Sequence, residues 1–362
     1  MKSIVTVVGA RPQFIKASAV SRELLKRGTL RESIVHTGQH YDAGLSDVFF
    51  EELTIPPPTH HLEVGSGSHG GQTGEMLKRI ETVLLNEKPD LVLVYGDTNS
   101  TMAGALAAAK IHVPVAHVEA GLRSFNRRMP EEINRVVTDH VSSLLFCPTL
   151  LAVEQLRTEG IVRGVHHVGD VMYDVALSMA ARAEAHSRFR NADLPTKGFV
   201  LATVHRAENT DDRSNLQSII EALGRLSARM PVVFPLHPRT KAAMARHGLH
   251  TFGSVRIIEP TGLSDMTWLE RHAAVIITDS GGIQKEAYFH RTPCVTVRTE
   301  TEWSETIDAG WNRLANPGDF DAIVAAAESS LLDTAGRREV ADYGTGSAAA
   351  ALVDVLAGFV AS

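Results

Sequence analysis

The sequence predicts an α/β protein of two domains, each a parallel sheet flanked by helices. Three observations carry this expectation. The chain has 362 residues, more than the roughly 250–300 over which one hydrophobic core keeps growing. Short β-branched runs alternate with amphipathic segments, the pattern of βα units rather than of a sandwich or a bundle. The alternation then restarts after a charged, Ala-rich stretch from Met179 to Lys197 that closes on Leu194-Pro195-Thr196.

In the first half the candidate strands are residues 4–8, 33–37, 91–95, 113–118 and 144–147, with helices such as 12–26 and 98–110 between them. In the second half they are 199–203, 232–235, 256–258, 275–278 and 294–297, interleaved with helices near 212–228, 265–271 and 282–290. The boundary falls within 170–195, read as a helix and then a linker, which sets the domains at 1–175 and 176–345. An apolar helix at 348–360 packs back on one domain or the other. Open α/β sheets bind ligands outside the carboxyl ends of their strands, so chemistry is expected in an interdomain cleft.

Composition removes several classes of function. Hydrophobic residues make up 44% of the chain and charged residues 22%, a globular balance that excludes extensive disorder. The net charge of −6 comes with acidic and basic residues intermixed and no long Lys/Arg run, so no nucleic-acid partner is expected. Cys147 and Cys294 each sit inside an apolar run, which suits buried free thiols in a reducing, cytoplasmic compartment. The apolar run at 4–8 is too short for a signal-peptide core, and no stretch reaches ~18 uncharged apolar residues, so no membrane is expected either. No H-E-x-x-H or paired-cysteine spacing suggests a metal.

Gly65-Ser66-Gly67-Ser68-His69-Gly70 matches G-x-G-x-x-G, but it follows polar residues instead of a strand and reads as a mobile loop rather than a dinucleotide site. After the first strand stands Gly9-Ala10-Arg11-Pro12, which puts Arg11 and Lys16 at a helix start. Cations there oppose the helix dipole unless an anion is nearby, and the anion is the favoured reading. After residues 275–278 comes Asp279-Ser280-Gly281-Gly282, whose glycines let backbone N–H groups approach a diphosphate at the next helix start. Glu286 lies one turn further along that helix, where it can accept hydrogen bonds from ribose hydroxyls.

Three carboxylate-bearing stretches follow strand ends of the first domain: Gly96-Asp97-Thr98, residues 117–123 around Glu119, and Pro130-Glu131-Glu132. Singly, Asp97 could cap a helix and Glu131 or Glu132 could complement a helix dipole. Converging with Arg123 on one cleft, they read as proton-transfer groups tuned by mutual repulsion and burial. In the second domain, His205 and His237 each follow a strand and are candidates for acid/base or hydrogen-bonding roles.

With these residues in place, the chain resembles the UDP-N-acetylglucosamine 2-epimerase family along nearly its whole length. The resemblance is carried by Gly9-Ala10-Arg11-Pro12, Gly38-Gln39-His40, Gly96-Asp97-Thr98, residues 117–123, Pro130-Glu131-Glu132-Ile133-Asn134-Arg135, Val204-His205-Arg206 and residues 279–286. It implies two Rossmann-like domains in a glycosyltransferase-B arrangement, with a C-terminal helix at 346–362 completing the first domain, and a homodimer that needs no cofactor. It also implies a UDP-sugar substrate, with Asp97, Glu119 and Glu131 in acid/base chemistry and His205 assisting departure of UDP. Arg11, Lys16, Arg123 and Arg135 would bind the substrate, and Ser280, Gly281, Gly282 and Glu286 would hold the diphosphate and ribose. The implied reaction epimerises C2 of UDP-N-acetylglucosamine through elimination of UDP to a 2-acetamidoglucal and re-addition. A hydrolysing epimerase that releases UDP and N-acetylmannosamine shares nearly all of these motifs.

Two departures bear on the substrate. Better-known members carry a second Gln shortly after Gln-His, used for an activating second UDP-N-acetylglucosamine, where this chain has Gln39-His40-Tyr41-Asp42. Where many members have Thr-Glu-Arg-Pro-Glu, this chain has Thr301-Glu302-Trp303-Ser304-Glu305. Both stretches, with Asp97-Thr98-Asn99-Ser100-Thr101 and Arg123-Ser124-Phe125-Asn126, are similar to the branch acting on UDP-2,3-diacetamido-2,3-dideoxyglucuronic acid.

Overall fold

A computed structural model describes residues 1–39, 55–251, 253–333 and 335–361. The chain divides into two compact units, Met1–Val175 with Ala341–Ser362, and Ala176–Val340. His40, Tyr41 and Asp42, on which the question of a second UDP-sugar turns, lie outside the described residues.

The first unit carries strands β1 (Lys2–Val8), β2 (Leu30–His36), β3 (His60–His61), β4 (Leu91–Tyr95), β5 (Val115–Val118), β6 (Leu144–Cys147) and β7 (Val165–His167). They form one sheet in the order β3-β2-β1-β4-β5-β6-β7, with every pairing parallel. A parallel sheet covered on both faces needs apolar side chains at consecutive positions, and all five residues of β4 are buried. Its helices are α1 (Arg11–Arg27), α2 (His69–Glu87), α3 (Asn99–Lys110), α4 (Pro130–Val141) and α5 (Leu150–Thr158). Met76, Ile80 and Leu84 of α2 and the alanines of α3 pack on Val5, Val7, Val92 and Val94. At Gly104 an added Cβ would sit 3.2 Å from Val7 and Val94, so a glycine there lets α3 lie close on the sheet.

Strand order reverses between β1 and β4, because β2 lies on one side of β1 and β4 on the other. The loops after β1 and β4 therefore leave in opposite directions and open a crevice at their carboxyl ends. Of the glycine-rich segment at 65–70, residues 65–68 are loop, as read, but its last two residues belong to a helix. Ser68 caps α2, its Oγ accepting the Gly71 N–H at 3.3 Å, and His69 and Gly70 form the first turn. An N-cap serine outweighs glycine's poor helix propensity where only the first turn is at stake.

The stretch read as a helix and then a linker has that form: α6 (Val171–His186) runs into it, followed by a 3-10 turn at Arg188–Asn191 and irregular chain up to the next strand. The second unit then adds β8 (Val200–Thr203), α7 (Ala207–Thr210), α8 (Arg213–Leu226), β9 (Val232–Pro235), α9 (Pro238–His247), β10 (Val255–Ile258) and α10 (Leu263–His272). It continues with β11 (Val275–Thr278), α11 (Gly281–Phe289), β12 (Cys294–Thr296), α12 (Ser304–Asp308), β13 (Asn312–Leu314) and α13 (Phe320–Leu332). Its sheet has the order β10-β9-β8-β11-β12-β13, again all parallel, with the reversal between β8 and β11. Leu216, Ile219, Ile220 and Leu223 of α8 close one face of that sheet.

The apolar C-terminal helix, α14 (Ala348–Ala361), lies against α1 in the first unit. Asp174 caps it from outside, accepting the N–H groups of Ala348 and Ala349 at 3.0 Å each, and Arg27 pairs with Asp354. Among the described residues no helix is long and apolar enough to cross a membrane.

Candidate active site

In the first unit the ends of β1, β4 and β5 are tied together by buried polar side chains. Pro12 enters α1 near its start, and Gln13 takes over the capping: its Oε1 accepts the N–H groups of Gly9 and Ala10 at 2.8 and 3.0 Å. The other end of the same amide donates to the Tyr95 carbonyl at 3.0 Å and to Thr101 Oγ1 at 2.9 Å, joining the first turn of α1 to the end of β4. Arg11 is exposed at the start of α1, and Lys16, one turn in, forms an ion pair with Glu119.

Asp97 follows β4 but does not cap α3. Thr98 does, accepting the Thr101 N–H at 3.3 Å, and this leaves the Asp97 carboxylate to meet Arg135 Nη2 at 2.6 Å. Asn134 donates to the Asp97 carbonyl at 2.9 Å from the same helix, α4. Glu119 stands at φ +71, a left-handed conformation rare for a side chain of its size. Gly121 follows at φ +80, where an added Cβ would collide with the Ala152 carbonyl. Strained backbone held in place by its surroundings is a mark of functional turns.

The adjacent glutamates of α4 part company. Glu131 is exposed in the first turn. Glu132 is 2% exposed and anchors the loop before the helix, accepting from Ser124 N at 2.9 Å, Ser124 Oγ at 3.0 Å, Phe125 N at 2.9 Å and Arg135 Nη1 at 2.9 Å. Burial opposes its charge, but these donors win and hold its carboxyl below the usual range. Mutual repulsion is not what surrounds these groups, since Asp97 and Glu119 each face a cation, Arg135 and Lys16.

Arg123 departs from the expected substrate contact. Its side chain is 1% exposed and donates to Glu159 at 2.7 and 2.8 Å, to Asp139 at 2.7 Å and to the Leu122 carbonyl at 2.7 Å. The guanidinium is thus part of the scaffold behind the Glu119 turn. An Arg beside three carboxylates in sequence gave no sign of the two further acids that claim it.

In the second unit Asp279 is the organising residue that sequence reasoning passed over. It has no exposed surface and accepts the backbone N–H groups of His205 and Arg206 at 3.0 Å and Asn209 Nδ2 at 3.1 Å, fixing the loop after β8 to the loop after β11. His205 Nδ1 lies 3.4 Å from the same carboxylate. His237 has a structural task, capping α9 by accepting the Arg239 N–H at 3.2 Å, with its ring 5.4 Å from that of His205.

Ser280 caps α11, its Oγ accepting the Ile283 N–H at 3.5 Å. A Cβ on Gly281 would come within 2.8 Å of Glu302 Oε1, while one on the exposed Gly282 would meet Ser280 Oγ at 3.9 Å, an ordinary contact. The start of α11 therefore presents bare backbone, the arrangement that receives phosphate. Glu302 is held low against burial by Arg298, 3.0 Å away, and by Arg206. Trp303, which replaces an expected cation, is 4% exposed and lies under Lys285, whose Nζ is 3.9 Å from the ring centroid. Glu286 meets the fully buried Glu270, whose carboxyl is pushed well up by burial and then by Glu286.

Comparison with known proteins bears on this arrangement directly. The UDP-N-acetylglucosamine 2-epimerase family matches residues 22–357. A UDP-2,3-diacetamido-2,3-dideoxy-D-glucuronate 2-epimerase of Pseudomonas aeruginosa is 52% identical over 98% of this chain and 99% of its own. A UDP-N-acetylglucosamine 2-epimerase of Methanococcus maripaludis is 42% identical over 99% of each chain. The Methanocaldococcus jannaschii UDP-GlcNAc 2-epimerase, whose crystal structure holds UDP-GlcNAc and UDP, superposes with a TM-score of 0.86 at 42% identity, covering 98% of this chain and 99% of that one. Alike in sequence and in fold over nearly its whole length, the chain belongs to the UDP-N-acetylglucosamine 2-epimerase family of isomerases.

Proposed function

We propose that the protein interconverts UDP-N-acetylglucosamine and UDP-N-acetylmannosamine by eliminating UDP and adding it back. The observation that carries this reading is the pair of acidic turns at neighbouring strand ends, Asp97 against Arg135 and Glu119 against Lys16. The C2 proton of a 2-acetamido sugar has no adjacent carbonyl, so no enolate can stabilise its loss. A carboxylate takes the proton while the C1–O bond breaks, the bonding pair of C2–H becomes the C1–C2 double bond, and the C1–O pair leaves with UDP. The glycal is then protonated at C2 on the opposite face as UDP re-adds at C1.

Asp97, Glu119 and Glu131 supply the acid and base groups for the two faces. Arg135 keeps Asp97 ionised and aimed, and Lys16 does the same for Glu119. Ser280 and the bare N–H groups of Gly281 and Gly282 stabilise the charge gathering on the diphosphate, Arg11 adds a cation, and His205 supports departure of UDP from its place on Asp279. Glu286 receives the ribose hydroxyls. The enzyme works as a cytoplasmic homodimer.

A second reading, the same reaction on UDP-2,3-diacetamido-2,3-dideoxyglucuronic acid, is favoured by the 52% identity to the Pseudomonas aeruginosa relative. Proton NMR in deuterated water with each sugar nucleotide separates them. Deuterium at C2 together with the C2 epimer is the expected result, and the sugar turned over identifies the substrate. Free UDP with N-acetylmannosamine would make the enzyme hydrolysing, and no exchange with either sugar by folded protein would overturn the proposal.

A further inference from the structure

Behind the two acidic turns of the first unit runs a continuous buried chain of polar groups. His117 lies on β5 with no exposed surface, its Nδ1 2.6 Å from Asp139 Oδ1 and its Nε2 2.8 Å from the Gly96 carbonyl oxygen. A backbone carbonyl has no hydrogen to give. Asp139 has none when ionised, the state that two donors on its other oxygen, the Gly121 N–H at 3.1 Å and Arg123 Nη1 at 2.7 Å, favour. The imidazole must therefore donate from both nitrogens. The charges around it balance, His117 and Arg123 against Asp139 and Glu159, with Glu159 taking two donors of Arg123 at 2.7 and 2.8 Å.

The remaining neighbours agree with an ionised Asp139. Burial opposes its charge, but His117 and then Arg123 hold its carboxyl below the usual range. Cys147, on β6, is pushed up to about 12 by burial and by the Asp139 charge. His140, one residue on, faces outward toward Glu159 at 3.8 Å.

We propose that His117, with a proton on each ring nitrogen, is a positioning residue that couples the Asp97 turn to the Glu119 turn through Asp139. The Gly96 carbonyl immediately precedes Asp97, and the Gly121 N–H lies two residues beyond Glu119. One carboxylate thus governs both turns, the first through His117 and the second directly. Gly96 at φ +63, Glu119 at φ +71 and Gly121 at φ +80 all lie in the left-handed region, which persists for a residue such as Glu only where the surroundings over-determine it. Setting both turns from one point fixes the distance between two groups that must act on one carbon. That consequence rests on the reaction proposed above, whereas the state of the imidazole does not.

Two measurements test the proposal. In the intact protein labelled with 15N-histidine at pH 7.5, the His117 ring is expected to show both nitrogens protonated; one protonated and one bare nitrogen would overturn it. This measurement needs no turnover, so it decides the state of the ring even if neither sugar nucleotide proves to be a substrate. His117→Phe keeps a ring and removes both donors. The expected result is a fall of about 100-fold in kcat for C2 exchange, the loss that a misplacement on the order of 1 Å brings, with KM changed by less than about threefold because the diphosphate and ribose contacts lie elsewhere in the chain. Undiminished kcat in the folded fraction would reduce His117 to a stability residue and refute the positioning role. Where His117→Phe fails to fold, Asp139→Asn replaces it, and the same fall in kcat is expected.

Discussion

Two neighbouring glutamates offer the sharpest separation of structure from chemistry. In Glu132→Gln a carboxylate with four donors becomes an amide with one oxygen and an NH2 group that must face donors. Hydrogen bonds to a charged acceptor contribute about 1.5–3 kcal/mol each. Three of the four reach Oε2 and one, from Phe125 N, reaches Oε1. An amide that keeps its oxygen at the Oε2 place loses the Phe125 bond and weakens the other three by losing the charge, an expected loss of about 3 kcal/mol, at the lower end of what breaking a buried ion pair costs. For a unit of this size that lowers the melting temperature by about 6–12 °C. The sign with pH follows from the depressed carboxyl of Glu132: its contribution is present above the ordinary value of 4.5 and is lost as pH falls below it. The gap between wild type and variant should therefore narrow in acid. In Glu131→Gln the change is exposed, and losing a charge near a helix start costs only about 0.3–1 kcal/mol. Epimerisation, however, should fall by about 100-fold or more. Denaturant melts of both variants, read beside deuterium incorporation at C2, give the comparison. Equal stability of Glu132→Gln and wild type, or near-normal turnover by Glu131→Gln, would refute the reasoning.

Other consequences are equally concrete. Gly121→Ala places a methyl group against the Ala152 carbonyl at a left-handed backbone position, and the yield of soluble folded protein should collapse. His36 is lowered from 6.5 to about 4 by burial and then by His61, and its Nδ1 accepts the Gly38 N–H at 2.9 Å as a neutral ring must. Its contribution is therefore present above pH 6.5 and lost as pH falls toward 4, and His36→Asn, which keeps an acceptor, should flatten the acid limb of a stability–pH profile. Glu270 has a carboxyl raised by burial and then by Glu286, so its contribution is present at low pH and lost as pH rises. Glu270→Gln, which donates to Glu286 without a titrating proton, should stabilise the protein increasingly as pH rises above the ordinary carboxyl value of 4.5 in urea melts.

The limits of sequence reasoning show in particular residues. The strands at 91–95, 144–147, 232–235 and 275–278 were legible to the residue because a parallel strand buried on both faces must be apolar throughout. Shorter edge strands, β3, β7 and β13, have only two or three residues each, too few for any period to register. Glu131 and Glu132 could not be told apart. Neighbours on a helix point about 100° apart, and which one turns inward depends on where the loop at Ser124 and Phe125 folds back. Arg123 looked like a substrate contact until Glu159 and Asp139 appeared beside it.

Local pattern by itself determined the twice-repeated α/β plan, the acidic strand ends of the first half and the glycine turn of the second. These are properties of residues close together in the chain, where backbone periodicity and turn chemistry act. Only the tertiary structure decided which cation each carboxylate meets, which histidine caps a helix and which bridges two turns, and that Asp174 caps a helix beginning at Ala348. Partners such as Asp97 and Arg135, 38 residues apart, or Asp174 and Ala348, 174 apart, are brought together by packing the sheets and helices. An ion pair is a statement about distance in space, and distance along the chain does not contain it.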